Sequence, residues 1–293
     1  MLFEGQEWNE AEIEDRTMFN MGIMSIMAFD PDQSPRLIGT GFVIQANGSS
    51  AIAITAAHNF DGVRKVLQPH ERHHPTTPRE FLGELKLLEI DQTRVRAVCF
   101  DGSRVDVSLI SWAVWDKRAD IAVFAVAHQN NDANFFKGSF LLSDSAPVIG
   151  DEVALIGFAD METSEGLHDG SRPQEFTVKR RFVLRCGRVT DVHPRGHILC
   201  KGPCIETSIP VFPGMSGGPA ARLGREGAIL PFGVISSDFS ADREDKNLKN
   251  TPGSSIVALL GATFGYAADG TKLAVVKLIA SEILSEGQIR WGR

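Results

Sequence analysis

The chain has 293 residues, 43% of them hydrophobic, which is enough for a sizeable core in one or two domains. Its 30 basic and 37 acidic side chains give a formal net charge of −7, which gives no support to nucleic-acid binding. No apolar run reaches the length of a membrane span, and the first residues lack the basic and apolar regions of a secretory signal. We therefore expect no nucleic-acid and no membrane partner, although a mature chain freed of an earlier segment would look the same.

Two charge clusters stand out. The N-terminal extension, residues 1–19, is acidic and contains Glu4, Glu7, Glu10, Glu12, Glu14 and Asp15. This pattern favours the solvated face of a short helix, with an acidic docking element as the alternative. A basic run on a predicted strand pair is either a solvated face or a landing site for an acidic segment; it comprises Lys179, Arg180, Arg181, Arg185 and Arg188.

Runs of β-branched and aromatic residues, separated by turn residues, predict most of the secondary structure. The predicted strands are Met21–Phe29, Gly39–Ile44, Ala51–Thr55, Val95–Phe100, Val105–Trp112, Ile121–Val126, Glu152–Phe158, Phe182–Arg188 and Phe232–Ser236. Asn47-Gly48, between two of these runs, is a hairpin signal. Many short strands are typical of an all-β barrel or sandwich.

A polar, Asn- and Asp-rich stretch divides the predicted strands into two similar sets. The first set occupies residues 20–130, the linker 131–145 and the second set 146–268. Residues 269–293 are predicted to form a C-terminal helix and tail. Thr271–Glu286 places apolar residues on one helical face, which we expect to pack on the second strand set rather than on a membrane surface.

Three short motifs carry candidate catalytic residues. His58 ends the run Ile54–His58, Asp120 lies just before a predicted strand, and Ser216 lies within Gly214-Met215-Ser216-Gly217-Gly218-Pro219. The order His, Asp, Ser is one of three unrelated chain orders that build the same catalytic geometry. His58 and Asp120 fall in the first strand set and Ser216 in the second, so the predicted site lies in the cleft between the sets.

With these residues in view, the chain resembles the chymotrypsin-like serine proteases, and most closely their bacterial trypsin-like branch. The resemblance covers about residues 20–285 and includes Gly39–Ile44, Gly150–Phe158 and Gly233–Ser236. The family fold is two six-stranded antiparallel β-barrels followed by a C-terminal helix. The resemblance implies a serine endopeptidase that acts on a polypeptide substrate without a cofactor.

Residue roles follow from this resemblance. His58 would act as general base toward Ser216, and Asp120 would orient the imidazole. The backbone N–H groups of Gly214 and Ser216 would form the oxyanion hole. Ser236 matches the position that hydrogen-bonds the triad aspartate. The predicted substrate-binding residues are Thr207, Ile209, Pro210, Ser236, Ser237 and Asp238.

Departures from the family pattern concern activation and compartment. Met215 stands where zymogen-activated members carry an aspartate, so we expect the oxyanion loop to be held by packing or ordered by substrate or a partner. Asn59 replaces a disulfide cysteine of secreted animal members. The four cysteines are too few for a disulfide framework, and free thiols in the cytoplasm are favoured over a Cys200–Cys204 pair.

A metal site is not expected. The insertion Gly62–Glu84 carries His70, His73 and His74, which could hold zinc, but no fourth ligand is evident and a solvated loop is favoured. Two alternative functions remain beside the endopeptidase. One is a latent protease-fold binding or sensor module that a regulatory protein partner activates, and the other is a general esterase.

Overall fold

Antiparallel β-strands form almost all of the regular structure. The computed structural model describes residues 7–14, 17, 22–29, 35–66, 76–82, 85–101, 104–143, 145–165, 176–224, 228–238, 254–261, 264–266, 272–274 and 291–292. In chain order the strands are β1 (Asn9–Glu12), β2 (Ile23–Phe29), β3 (Pro35–Asn47), β4 (Ser50–Thr55), β5 (Thr76–Leu82), β6 (Leu85–Ile90), β7 (Val95–Asp101), β8 (Arg104–Asp116), β9 (Ile121–His128), β10 (Leu142–Ser143), β11 (Glu152–Glu165), β12 (Phe176–His193), β13 (Cys204–Thr207), β14 (Pro219–Leu223), β15 (Ile229–Asp238), β16 (Ser255–Leu259), β17 (Phe264–Tyr266), β18 (Lys272–Ala274) and β19 (Trp291–Gly292). Helix α1 spans Ala57–Val66.

The first barrel closes by six strands in the order β8-β7-β2-β3-β4-β9, with β9 returning to β8. The β5–β6 hairpin extends this sheet beyond β8. The predicted hairpin at Asn47-Gly48 is confirmed, because β3 and β4 pair up to Asn47↔Ser50 and Gly48 has a φ of 65°. Phe136 and Phe140, in the segment that leaves β9, are buried against this barrel, and the N–H of Phe140 donates to the carbonyl of Val43.

The second barrel closes by six strands in the order β12-β11-β14-β15-β16-β13, with β13 returning to β12. Strand β1 lies outside this ring and pairs antiparallel with β12. The prediction of an all-β protein with two six-stranded barrels is therefore confirmed. No helix in the described part of the chain is long and apolar enough to cross a bilayer.

Each barrel has its own apolar interior, and a third cluster joins the two. Met24, Val43 and Phe124 lie in the first interior, whereas Leu155, Met215 and Phe232 lie in the second. Between the barrels, the ring of Phe158 packs edge-on against Phe100 at 5.7 Å between centroids and tilts against Phe182 at 5.3 Å. Because aromatic rings bury large apolar areas, this contact fixes how the barrels meet.

The predicted position of helical structure is wrong. Helices were predicted at the chain ends, yet α1 begins at Ala57 inside the first barrel. Phe60 and Val63, three residues apart on α1, are fully buried, and Phe60 packs against Phe124. The solvated loop expected from Gly62 to Glu84 is likewise partly regular, since it contains the end of α1 and strand β5; His70, His73 and His74 lie outside the described residues.

Both predicted terminal helices need correction. Residues 9–12 form strand β1 rather than a helix, because their backbone pairs with β12. At the other end, Lys272–Ala274 form strand β18, which pairs with Phe264–Tyr266. The start of the predicted helix Thr271–Glu286 is therefore wrong, and residues 275–286 lie outside the described residues.

All four cysteines are buried free thiols. Burial raises the pKa of the Cys99 thiol to about 12, and the carboxylate of Asp106 on the neighbouring strand contributes to this increase. We expect native Cys99 to react with iodoacetamide at pH 8 about 1,000-fold more slowly than an ordinary thiol, because only the thiolate attacks. The rate should rise about tenfold per pH unit below the pKa. Mass spectrometry of timed alkylations measures this rate, and rapid modification of folded protein at pH 8 would contradict the expectation.

Candidate active site

His58 and Asp120 form a directly bonded pair at the start of α1. Nδ1 of His58 lies 2.8 Å from Oδ2 of Asp120, and the backbone N–H of His58 donates to Oδ1 of the same carboxylate at 2.9 Å. Ser236 Oγ donates to Oδ2 at 2.5 Å. The carboxylate thus accepts three hydrogen bonds, while the His58 side chain remains 44% exposed. Asp120 therefore favours the tautomer with a proton on Nδ1, which leaves Nε2 of His58 as an acceptor.

A tight turn between β8 and β9 presents Asp120. Asp116 pairs with Ile121 at the end of the two strands, and Oδ1 of Asp116 accepts hydrogen bonds from the N–H groups of Arg118 and Ala119. This side-chain-capped turn is a typical use of aspartate. Asp120 itself has a φ of 56°, in the left-handed region that non-glycine residues seldom adopt. Such local strain is common at functional sites, and three hydrogen bonds hold the side chain there.

Ser216 belongs to a glycine-rich loop that the second barrel extends toward the first. Gly214 and Gly217 have φ values of 98° and 87°, so L side chains would be strained at both positions. The carbonyl of Ser216 accepts hydrogen bonds from the N–H of Thr40 at 2.8 Å and from Nδ2 of Asn59 at 3.0 Å. Because Asn59 follows His58 in α1, this bond ties the Ser216 backbone to the helix that carries the histidine.

A buried polar network completes the attachment of the serine loop. Asn59 Nδ2 also donates to Oγ1 of Thr55, whose hydroxyl donates to the carbonyl of Thr40. The Thr40 hydroxyl in turn donates to the carbonyl of Gly214 at 2.6 Å and accepts from the N–H of Phe158. A positioning role was not predicted for the side chains of Thr40, Thr55 and Asn59. Their only signal in the sequence was proximity to the Gly39–Ile44 and Ile54–His58 motifs.

The backbone N–H groups of the serine loop differ in whether they donate hydrogen bonds within the protein. The N–H groups of Met215, Gly217 and Gly218 donate to the carbonyls of Phe212, Ile235 and Met215 respectively. Among the described residues, the N–H groups of Gly214 and Ser216 have no hydrogen-bond partner in the protein. These are the two donors predicted to stabilise an oxyanion. Met215 is fully buried in the second barrel interior, so packing holds the loop at the position of the family's aspartate.

The predicted substrate-binding residues have different surroundings. Ile209 is fully buried in the second barrel interior, and the Thr207 hydroxyl is bonded to that of Ser255 at 2.7 Å. Pro210 offers its carbonyl to Arg185. Ser237 and Asp238 continue β15 beyond Ser236, and their side chains lie outside the described set. The assignment of these residues to substrate binding stays a prediction.

Gly217 allows a stability prediction with a matched control. A Cβ at Gly217 would lie 2.1 Å from Oγ1 of Thr55 and 2.2 Å from the carbonyl oxygen of Thr40, whereas at Gly150, with a similar φ of 91°, it would meet nothing within 4 Å. Gly150→Ala should cost about 1–2 kcal/mol through backbone strain alone. Gly217→Ala should cost several kcal/mol, roughly 3 or more, because a backbone carbonyl must also move. Urea unfolding measures both, and equal losses would contradict the expectation.

One group of potential metal ligands occurs among the described residues. Ligand atoms of Asp191, His193 and Glu206 all lie within 4.8 Å of one another on β12 and β13. The Asp191 side chain is 56% exposed, and the group includes none of the predicted catalytic residues.

An antiparallel double β-barrel that holds a histidine–aspartate pair beside a serine loop is the architecture of the trypsin-like proteases. Residues 39–228, well over half of the chain, match the family described as trypsin-like peptidase domain. The chain belongs to this family of proteases. A comparison with curated protein sequences gives no match.

The chain is also similar to solved protease structures. The Rv3671c protease from M. tuberculosis in its active form is 14% identical, with a TM-score of 0.45 over 93% of this chain and 85% of that one. Its inactive form gives the same identity and TM-score over 91% of each chain. The HtrA-type protease AlgW, in a variant with a decapeptide, is 15% identical, with a TM-score of 0.46 over 84% of this chain and 62% of that one.

Proposed function

We propose that this protease is a serine endopeptidase in which Ser216, His58 and Asp120 form the catalytic triad. The observation that carries the proposal is the carboxylate of Asp120, which accepts hydrogen bonds from the backbone N–H and Nδ1 of His58 and from Oγ of Ser236. Because Nδ1 is the ring nitrogen bonded to the carboxylate, Nε2 is the ring nitrogen proposed to act as the base. A serine hydroxyl is a weak nucleophile at neutral pH and needs an adjacent base of this kind.

In the proposed reaction, the proton of Ser216 Oγ passes to Nε2 of His58 while Oγ forms a bond to the carbonyl carbon of the peptide. The resulting oxyanion accepts hydrogen bonds from the N–H groups of Gly214 and Ser216. His58 then returns its proton to the amine nitrogen as the C–N bond breaks, leaving an acyl-enzyme on Ser216. Water activated by His58 hydrolyses this ester and restores the serine.

We further propose that the substrate backbone adds as a strand beside Ser236–Asp238 at the end of β15. The register of β15 shifts between Ile235 and Ser237, where pairing with β16 becomes irregular. Main-chain pairing of this kind binds polypeptides with little dependence on sequence. The substrate class is therefore an extended polypeptide.

Cleavage of a peptide library by the purified full-length chain tests this function. The proposal predicts internal peptide-bond cleavage that a serine-directed phosphonate inhibitor abolishes. Turnover of p-nitrophenyl esters without any peptide cleavage would favour an esterase instead. Cleavage that appears only after addition of a cell extract would favour a latent protease with a regulatory protein partner.

A further inference from the structure

The N-terminal segment lies against strand β12 of the second barrel. Residues 9–12 pair with β12 from Asn9↔Cys186 to Glu12↔Val183, and the N–H of Ile13 donates to the carbonyl of Phe182. This stretch of β12 precedes the region, beginning at Val189, that pairs with β13. The segment 7–13, here called the N-terminal brace, therefore supplies a strand that the closed barrel itself does not need.

Arg185 connects the brace to the barrel through a buried charge. Its side chain is only 1% exposed, and its Nε and Nη2 donate to Oε2 of Glu10 at 2.7 and 2.5 Å. Arg181 contacts the other oxygen of the same carboxylate. The basic run identified in the sequence is thus, at Arg181 and Arg185, a landing site for an acidic residue. An uncompensated buried guanidinium costs several kcal/mol, so Glu10 matters to how this region packs.

Arg185 also contacts the loop that precedes Gly214. Its Nη1 donates to the carbonyl of Pro210 at 2.5 Å, and its guanidinium lies 3.9 Å from the ring centroid of Phe212. The ring of Trp8, from the brace, lies 5.2 Å from the same guanidinium. Aromatic faces attract a desolvated cation, so the guanidinium holds Trp8, Glu10 and Phe212 in one cluster.

A second contact joins the brace to the same loop. Ser208 Oγ donates to the carbonyl of Glu7 at 2.8 Å and accepts from the N–H of Arg188 at 3.0 Å. Ser208 is therefore bonded to the brace directly, whereas Pro210 and Phe212 are linked to it through Arg185. Immediately beyond them, the carbonyl of Phe212 accepts from the N–H of Met215, which shapes the turn containing Gly214.

We infer that Glu10, through Arg185, is a positioning residue that holds residues 208–212 and thereby orients the oxyanion-hole N–H groups of Gly214 and Ser216. This inference rests on the proposed function for its catalytic consequence, but its structural part is independent of it. Glu10 acts on this loop through Arg185, and it is not among the residues proposed to contact the substrate.

Glu10→Gln in the full-length chain tests the inference, with Glu12→Gln on the same strand as the matched control. Glutamine keeps the size of the side chain and removes its charge from the buried guanidinium. We expect hydrogen exchange at the amides of Met215, Gly217 and Gly218 to accelerate about tenfold in Glu10→Gln only. We also expect kcat to fall about tenfold with KM changed less than about twofold, because oxyanion stabilisation acts mainly in the transition state. Glu10→Asp, which keeps the charge, should lie between wild type and Glu10→Gln.

Unchanged exchange at these three amides in Glu10→Gln, or equal acceleration in Glu12→Gln, would overturn the inference. Lower thermal stability with wild-type kcat and wild-type exchange in the loop would also overturn it, because a merely structural strand predicts that result. If the wild-type chain cleaves no peptide, the proposed function fails while the exchange measurement still decides whether the brace orders the loop.

Discussion

Ser216→Ala is expected to lower kcat for peptide cleavage by about 10⁶-fold, to the level that binding and the oxyanion hole alone supply. The exchange removes the only atom that can form the proposed acyl-enzyme, and it leaves the backbone contacts of the serine loop in place. The carbonyl of Ser216 would still accept from Thr40 and Asn59, so the fold should be retained. Steady-state cleavage rates of a fluorogenic peptide, measured for wild type and variant, give the loss in kcat.

Ser111→Ala is the control for this variant, because Ser111 is an exposed serine on β8 of the first barrel. It should leave kcat unchanged. Peptide cleavage by Ser216→Ala at more than about a thousandth of the wild-type rate would contradict the triad, since no other side chain is proposed as nucleophile.

Asp120→Asn should lower kcat by about 10⁴-fold, the loss that follows the same exchange in a well-characterised protease with this triad. The amide group would present a donor to Nδ1 of His58 and reverse its tautomer, so Nε2 would carry a proton and could no longer accept one from Ser216. The N–H of His58 and the Ser236 hydroxyl, which both donate to Asp120, would compete for the remaining carbonyl oxygen.

Ser236→Ala tests the hydrogen bond that orients the Asp120 carboxylate, and it leaves the charge of that carboxylate in place. It removes one hydrogen bond to Oδ2 of Asp120 and leaves the bond from His58. A bond to a charged group is worth about 1.5–3 kcal/mol, so a loss in kcat of about ten- to a hundredfold is expected. Peptide kinetics of both variants over pH 6–9 measure these effects, and a similar loss in the two would contradict the role given to Asp120.

The barrel strands were predictable because their signal is local. Alternation, β-branched residues and turns such as Asn47-Gly48 identified strands in both barrels. The short strands β13, β14 and β16 were missed because four or five residues carry too little periodicity. Helix α1 was missed for another reason: it is stabilised by packing of Phe60 on Phe124, a contact 64 positions apart that no local pattern reveals.

The residues of the candidate site also differ in how far the sequence predicts them. His58, Asp120 and Ser216 were predicted because each lies in a short motif and the three follow a known order. Thr40, Thr55 and Asn59 were not, because their roles depend on hydrogen bonds between barrels, such as that from Asn59 to the carbonyl of Ser216. The brace was misread as a helix because its acidic spacing fits one, while the buried Arg185 that fixes it as a strand lies 175 positions away.

Labelling of the full-length chain with a fluorophosphonate, followed by mass spectrometry of the adduct, tests the central claim most directly. The reagent reacts with serine only where a base activates the hydroxyl and an oxyanion hole accepts the phosphoryl oxygen. The account predicts one adduct, on Ser216, that is lost in Ser216→Ala and strongly slowed in Asp120→Asn. An adduct on another serine, or labelling of Ser216 at an undiminished rate in Asp120→Asn, would contradict it.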